Sequence, residues 1–430
     1  MEAFEKCKLG DILSVITDYH ANGSYEKLKE KVSLLDVPNH AIMIRTTNFE
    51  QNNFSDFKYI NEEAYSFLSK SKVFEGDILM NKIANAGSVY FMPKLNRPVS
   101  LAMNLFLIRI SKELANAKYV YLYLKLNEGY IKTFAAGSVT KTITKAAVRN
   151  LDIYLPSLPI QNKVVEIISS IDDKIELNLQ MNQTLEQIAK TLFKKYFVDD
   201  VDHEKLPNGW ILGSFSEIIE FFNGYAFSSK QLIAEETEEC YHVFKMGHIK
   251  KGGGLNSNAT KSFFEKNKAK DLEKYVLKKG DLLMCMTDMK DSMSLLGHTA
   301  LMNEDEKYIV NQRVGLIRSN NYLSVGYPYL YLLTNSKPFI EDLRNRANSG
   351  VQVNLSTSEI KNSKIIIPSE SINKEFDALV LPLYEKMFSI IRENTSLEQL
   401  RNALLPKLMS GELDVTNLNQ KETFHEALLS

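Results

Sequence analysis

Cysteine is scarce: Cys7, Cys240 and Cys285 are the only three in 430 residues, and no two share a CxxC spacing. An odd, scattered set supports neither a disulfide framework nor a zinc site and fits a reducing compartment. Long hydrophobic runs are missing too, and the N-terminal stretch MEAFEKCKLG has no apolar core of a signal peptide. Neither secretion nor a membrane span is therefore expected, and the location expected is cytoplasmic. No charge of one sign dominates, since 52 Lys and Arg face 53 Asp and Glu for a net charge of -1. That balance excludes a uniformly basic coat for nucleic acid but leaves room for local basic faces. The chain has no GK[ST] ending of a phosphate loop, and its seven histidines form no HxxxH pair, so no catalytic or metal-ligating residue is expected.

What the chain does have is size and internal repetition. With 44% hydrophobic residues, 430 residues are more than one core usually holds, so two domains are the default. Residues 184–193, TLEQIAKTLF, return as SLEQLRNALL at 396–405, and Pro156 and Pro368 keep the same separation of 212 positions. Upstream the match continues with drifting offsets, FEGDILM (74–80) against KKGDLLM (278–284), MIRTTNF (43–49) against FKMGHI (244–249), and MNLFLIRI (103–110) against NQRVGLIR (311–318). Within each half, short runs of Val, Ile, Phe and Tyr punctuated by Gly and Asn predict strands, with helical stretches at 117–127 and 327–343. The Gly-Asp pairs at 76–77 and 280–281 read as structural turns.

After each closing proline the pattern changes to apolar residues at three- and four-residue steps. Val164, Ile168, Ile171, Ile175, Asn178, Asn182, Leu185, Ala189, Leu192 and Tyr196 form one stripe, and the positions 212 later, Phe376 to Leu408, form a second. Each stripe calls for a partner helix, and the simplest partner is the other copy, packed antiparallel with Asn182 and Asn394 in the seam. Pro382 should kink or restart the second helix. A helix from 163 to 196 would extend about 50 Å, and modules held about one 34 Å turn of duplex apart read separated half-sites. The expected fold is thus α+β: two strand-rich domains of mixed fold separated by two long helices packed as an antiparallel coiled coil, repeated about a pseudo-two-fold axis.

The GYAF opening (224–227), the GDLLM turn, the LPSLPIQNKVVEII start of the first long helix (155–168) and the ending LLPKLMSGEL (404–413) resemble the specificity subunit of type I restriction-modification enzymes over about residues 1–415. The resemblance implies target-recognition domain 1 at 1–157, spacer helix 1 at 158–200, target-recognition domain 2 at 201–368, spacer helix 2 at 369–415 and a C-terminal tail at 416–430. It further implies that the chain reads a bipartite, asymmetric double-stranded DNA sequence and scaffolds two methyltransferase subunits, which recruit two restriction-translocase subunits. S-adenosylmethionine, ATP and Mg would belong to those partners, with no cofactor in this chain. The competing reading is a self-sufficient DNA methyltransferase or nuclease with a coiled-coil insert. Adenine methylation would need an Asp/Asn-Pro-Pro-aromatic tetrad, and the sequence contains no Pro-Pro pair.

Candidate DNA contacts are polar residues in corresponding loops, because phosphates attract Lys and Arg while base edges need directed donors and acceptors. In the segment 130–149 these are Lys141, Thr142 and Lys145; in the matching segment 347–359, Gln352 and Asn354. The equivalent strand ends of MIRTTNF and FKMGHI supply Arg45, Thr46, Asn48, Lys245 and His248. The stretches after the Gly-Asp turns supply Lys82, Thr287 and Lys290. Asn104 and Asn311 match across the halves and read as structural, whereas Arg313 reads as facing DNA.

Overall fold

The computed structural model describes residues 4–137, 140–199, 201–202, 205–290, 293–348 and 352–415. The tail 416–430, and residues 138–139 and 349–351 inside the two candidate loop segments, lie outside the described residues. Two compact units make up the chain, one from residues 1–176 with 395–430 and the other from residues 177–394.

In the first unit a four-stranded antiparallel sheet runs in the order Leu13–Asp18, Leu105–Ile110, Ile78–Asn81, Val89–Phe91. Successive strand residues point to opposite faces. Ile78, Met80, Phe106 and Ile108 accordingly join a core with Tyr119 of the helix Ala117–Leu126. Their neighbours Leu79, Leu105 and Leu107 pack against Ile42, Ile44 and Leu101 of a second sheet. Burial on both faces explains why these strands read as unbroken apolar runs rather than as an alternation. The second sheet contains one parallel pair, Ala41–Ile44 with Val99–Leu101.

The second unit repeats this plan. Its four-stranded sheet is Ile219–Asn223, Val314–Ser319, Leu282–Cys285, Thr299–Leu301, and its parallel pair is Cys240–Phe244 with Tyr308–Val310. Leu282, Met284 and Ile317 face one core while Leu283, Cys285 and Leu316 face another. The stretch 327–343, expected as one helix, is two: Tyr327–Thr334 and Lys337–Arg346. The break falls at Asn335, whose side chain donates to Thr299 O and Tyr331 O, and at Ser336, which is extended.

Both Gly-Asp turns carry a partner that motif reading did not identify. Asp77 accepts from Phe74 N at 2.7 Å and from Arg109 Nε and Nη2 at 2.7 Å each, while Arg109 Nη2 also donates to Lys72 O. Asp281 accepts from Lys278 N at 2.8 Å and from Arg318 Nε and Nη2 at 2.8 Å each, while Arg318 Nη2 donates to Val276 O. With Arg109 and Arg318 as fixed points, the strand before each shows that Asn104 corresponds to Arg313 and not to Asn311. The glycine of the GYAF stretch is explained by a close approach. A methyl group on Gly224 would lie 2.0 Å from Asn311 O, where the chain forms a parallel bridge with Tyr225.

The long helices are Leu158–Phe197 and Glu370–Ser410, and each unit contains a part of both. Every residue of the two apolar stripes is buried or half-buried. In the first unit Val164, Ile168 and Ile171 share a core with Leu404 and Leu408, and Arg401 Nη1 donates to Asp172 Oδ1 at 2.9 Å. In the second, Phe193 and Phe197 pack on Phe376, and Tyr196 donates to Glu375 Oε1. There residue 178 meets 394 and residue 196 meets 375, so the pairing is antiparallel. Two details differ from expectation. The second helix does not restart at Pro382: burial of Val380, Tyr384 and Phe388 on either side of it offsets the lost backbone bond. The asparagine facing Asn394 is Asn178, with Nδ2 donating to Oδ1 at 2.8 Å, and Asn182 is left with a buried Oδ1 that has no partner. Gln161 and Asn373, 212 positions apart, are buried and donate to Pro156 O and Pro368 O, tying each helix start to the closing strand. Among the described residues no helix is long and apolar enough to cross a membrane.

Candidate nucleic-acid interface

The chain segment after each Gly-Asp strand meets the segment that precedes the closing strand, although about 60 residues separate them in sequence. In the first unit Ala84 N donates to Lys141 O, Ile143 N donates to Lys82 O, and Ile83 bridges Thr142. In the second, Thr287–Met289 pairs antiparallel with Gln352–Asn354, Thr287 facing Asn354 and Met289 facing Gln352. The same hydrogen bond to the neighbouring strand precedes both ladders, for Lys82 N donates to Asn104 O and Met286 N donates to Arg313 O. Lys82, Lys141 and Thr142 thus come together in one unit, and Thr287, Arg313, Gln352 and Asn354 in the other.

Their surroundings sort them. Gln352 and Asn354 are exposed on either side of buried Val353, as a strand's two-residue period requires. Lys141 and Thr142 are exposed, and Arg313 is exposed at a left-handed φ of 68°. Lys290 is exposed just past the strand Thr287–Met289. Thr287, by contrast, is 5% exposed and is not a surface group. Lys82 is largely covered and donates to Asp18 Oδ2 at 2.8 Å, while Lys145 lies 3.2 Å from Asp18 Oδ1. Burial raises the Asp18 pKa, but hydrogen bonds and charge from Lys82 and Lys145 outweigh it, so the carboxyl sits below its ordinary value.

The strand-end candidates separate differently. Asn48 and His248 are both buried, and each serves its own turn: Asn48 Oδ1 accepts from Arg45 N at 3.0 Å, and His248 Nδ1 accepts from Lys245 N at 3.1 Å. Asn48 Nδ2 is further spent on Asn53 O and Asp56 O. Burial pushes the His248 imidazole below its ordinary pKa, so it is neutral at pH 7 and not a cation for a phosphate. These two positions are therefore corrected from contacts to turn supports. Arg45, whose Nη2 donates to Asp56 O, and Thr46 line a cavity of about 390 Å³ together with Tyr19, Tyr25, Met103 and Asn104. Lys245 is half-buried at the corresponding strand end of the second unit.

Asp18 escaped sequence reasoning because a lone Asp after a strand resembles any turn residue. Only the fold brings it near the lysines: its strand pairs with Leu105–Ile110, beyond which lies the strand Ile78–Asn81 that Lys82 follows, and Lys145 opens the helix Lys145–Arg149. Among the described residues no cluster of His, Cys, Asp and Glu is placed to hold a metal ion.

The family model described as type I restriction modification DNA specificity domain matches residues 1–187 and again 207–399. The HindI specificity subunit of Haemophilus influenzae is 25% identical over 446 residues, covering 87% of this chain and 94% of that one. The MjaIX specificity subunit of Methanocaldococcus jannaschii is 25% identical over 323 residues, covering 72% of each. The crystal structure of a type I restriction-modification system S subunit from M. genitalium matches the fold with a TM-score of 0.58 at 15% identity, covering 95% of this chain and 96% of that one.

Proposed function

The chain belongs to the type I restriction modification DNA specificity family, and we propose from that premise that each of its units reads one half of a bipartite, asymmetric DNA target. The observation that carries this is the repeated ladder: one backbone arrangement displays Lys141 and Thr142 in the first unit but Gln352, Asn354 and Arg313 in the second. Equal geometry with unequal side chains is what two different half-sites ask of a duplicated reader, since phosphate contacts position and base contacts specify. Lys141 and Arg313 are assigned to backbone or guanine acceptors, and Gln352 and Asn354 to base edges with paired donors and acceptors.

The chain is a non-catalytic subunit in this reading. Methyl transfer, with S-adenosylmethionine, belongs to two methyltransferase subunits, and ATP- and Mg-dependent translocation and cleavage to two restriction subunits. Exposed apolar residues on the long helices support such docking, among them Leu177, Leu179 and Met181 on the first and Leu379 and Leu381 on the second. Co-expression with methyltransferase subunits should direct adenine methylation to a two-part sequence with a fixed gap, while the chain alone should transfer no methyl groups. Methylation by the chain alone, or a target in one uninterrupted part, would overturn the reading.

A further inference from the structure

The two units differ sharply at a position where their backbones agree. The strand Leu13–Asp18 ends on Asp18, opposite Phe106, and its counterpart Ile219–Asn223 ends on Asn223, opposite Gly315. Lys145 and Thr357 open equivalent five-residue helices, Lys145–Arg149 and Thr357–Lys361, each capped by the hydroxyl before it, Thr144 or Ser356. The same link joins strand end to helix in both units. Lys145 Nζ lies 3.2 Å from Asp18 Oδ1, and Thr357 Oγ1 donates to Asn223 Oδ1 at 3.0 Å. At the third corner Lys82, which donates to Asp18 Oδ2, is replaced by Met286, as their matching bonds to Asn104 O and Arg313 O show. One unit therefore holds two cations around one anion, whereas the other holds a neutral amide and hydroxyl, its Met286 side chain joining the core with Phe221 and Leu355.

We propose that this three-residue position selects a base in each half-site, with Asp18 holding Lys82 and Lys145 to donate to the O6 and N7 acceptors of a guanine. In the second unit Asn223 and Thr357 form a neutral donor-acceptor pair suited to the N7 and N6 edge of adenine. The proposal rests on the DNA-reading function above and names Asp18, Asn223 and Thr357 as its additional specificity residues.

Three arguments support it. Side-chain exposures of 11% for Asp18, 16% for Lys82 and 38% for Lys145 describe a cluster that is neither solvated surface nor closed core. Partly desolvated ion clusters contribute little net stability and are often replaceable by neutral residues, as the second unit illustrates at this very position. Their presence in only one unit therefore points to recognition. The carboxylate itself then discriminates between two kinds of DNA contact. A phosphate needs only positive charge, which Asp18 weakens, whereas a base edge needs donors fixed in direction, which Asp18 provides.

The test is a plasmid library with randomised half-sites, methylated by the chain assembled with methyltransferase subunits and read by long-read mapping of methylated adenines. In the triple variant Asp18→Asn/Lys82→Met/Lys145→Thr, guanine preference at one position of one half-site should fall about ten- to a hundredfold, the discrimination one good base contact supplies. The other half-site and the gap should not change, and Lys145→Arg should retain guanine. An unchanged motif with a slower rate and a shallower salt dependence would identify a phosphate contact and overturn the proposal. Equal losses at both half-sites would do the same by marking the cluster as structural. A parent complex that methylates no bipartite sequence would instead overturn the function on which the proposal rests.

Discussion

Replacing Asp281 by Ala should destabilise the unit 177–394 and leave the other unit's opening unchanged. Asp281 is 4% exposed and accepts three hydrogen bonds, two from the Arg318 guanidinium and one from Lys278 N. Removing one partner of a buried pair costs about 3–5 kcal/mol because the remaining charge is left uncompensated. The Arg318 side chain is 22% exposed, so water recovers part of that, and the lost turn bond adds back roughly 1 kcal/mol. A net loss of about 3 kcal/mol corresponds to a fall of roughly 10 °C in the melting temperature of a unit of this size. Calorimetry gives the shift, and hydrogen exchange resolved by peptide shows which unit opens earlier. Asp77→Ala should do the same to the unit containing Arg109. The double variant Asp281→Leu/Arg318→Met should recover most of the loss, because no charge is then stranded. A loss under about 1 kcal/mol, or equal early opening of both units, would refute the claim that each Gly-Asp turn is anchored within its own unit.

Two further perturbations follow from the second unit. Burial raises the Asp377 carboxyl to about 6, above its unfolded value near 3.9, so the stability it supplies as a neutral group is complete below about pH 4 and is lost as the pH rises through 6; Asp377→Asn should remove this slope and raise stability at pH 7 by about 1–2 kcal/mol after allowance for solvent screening, and parallel melting curves of variant and parent against pH would show otherwise. Gly224→Ala should lower the urea midpoint of the unit by the equivalent of about 3 kcal/mol, since the added methyl meets the Asn311 carbonyl at 2.0 Å and a main-chain atom cannot rotate away; an unchanged midpoint would contradict this.

The long helices were legible because a heptad-like stripe sustained over about 40 positions has few other readings and occurs twice. The register between them was not. A duplicated sequence invites pairing of like with like, Asn182 with Asn394, but an antiparallel pair sets like residues opposite each other only near its middle. Asn178 takes that place, and Asn182 keeps an unpaired oxygen. The candidate contacts split for a related reason. Asn48, His248 and Thr287 have the same letters whether a side chain faces solvent or serves its own backbone, and only the fold shows that all three are buried. The ladder joining Lys82 to Thr142, or Thr287 to Asn354, is a long-range pairing that local pattern does not encode.

How residues are shared between the units explains how such a reader can change its target without losing its fold. Residues that hold backbone to backbone recur: Asp77 with Arg109 and Asp281 with Arg318, Gln161 and Asn373 on the proline carbonyls, and the capping hydroxyls of Thr144 and Ser356. Residues whose polar ends leave the backbone do not recur: Lys82 becomes Met286 and Lys145 becomes Thr357. Removing one partner of a buried ion pair in the first set costs about 3–5 kcal/mol and removing a capping hydroxyl about 1 kcal/mol, whereas exchanging the second set together, as the other unit has it, strands no charge and changes stability far less. On the proposal that Lys82 and Lys145 read a base, a joint change in the second set alters which sequence is read before it alters whether the unit folds, whereas a change in the first set does the reverse.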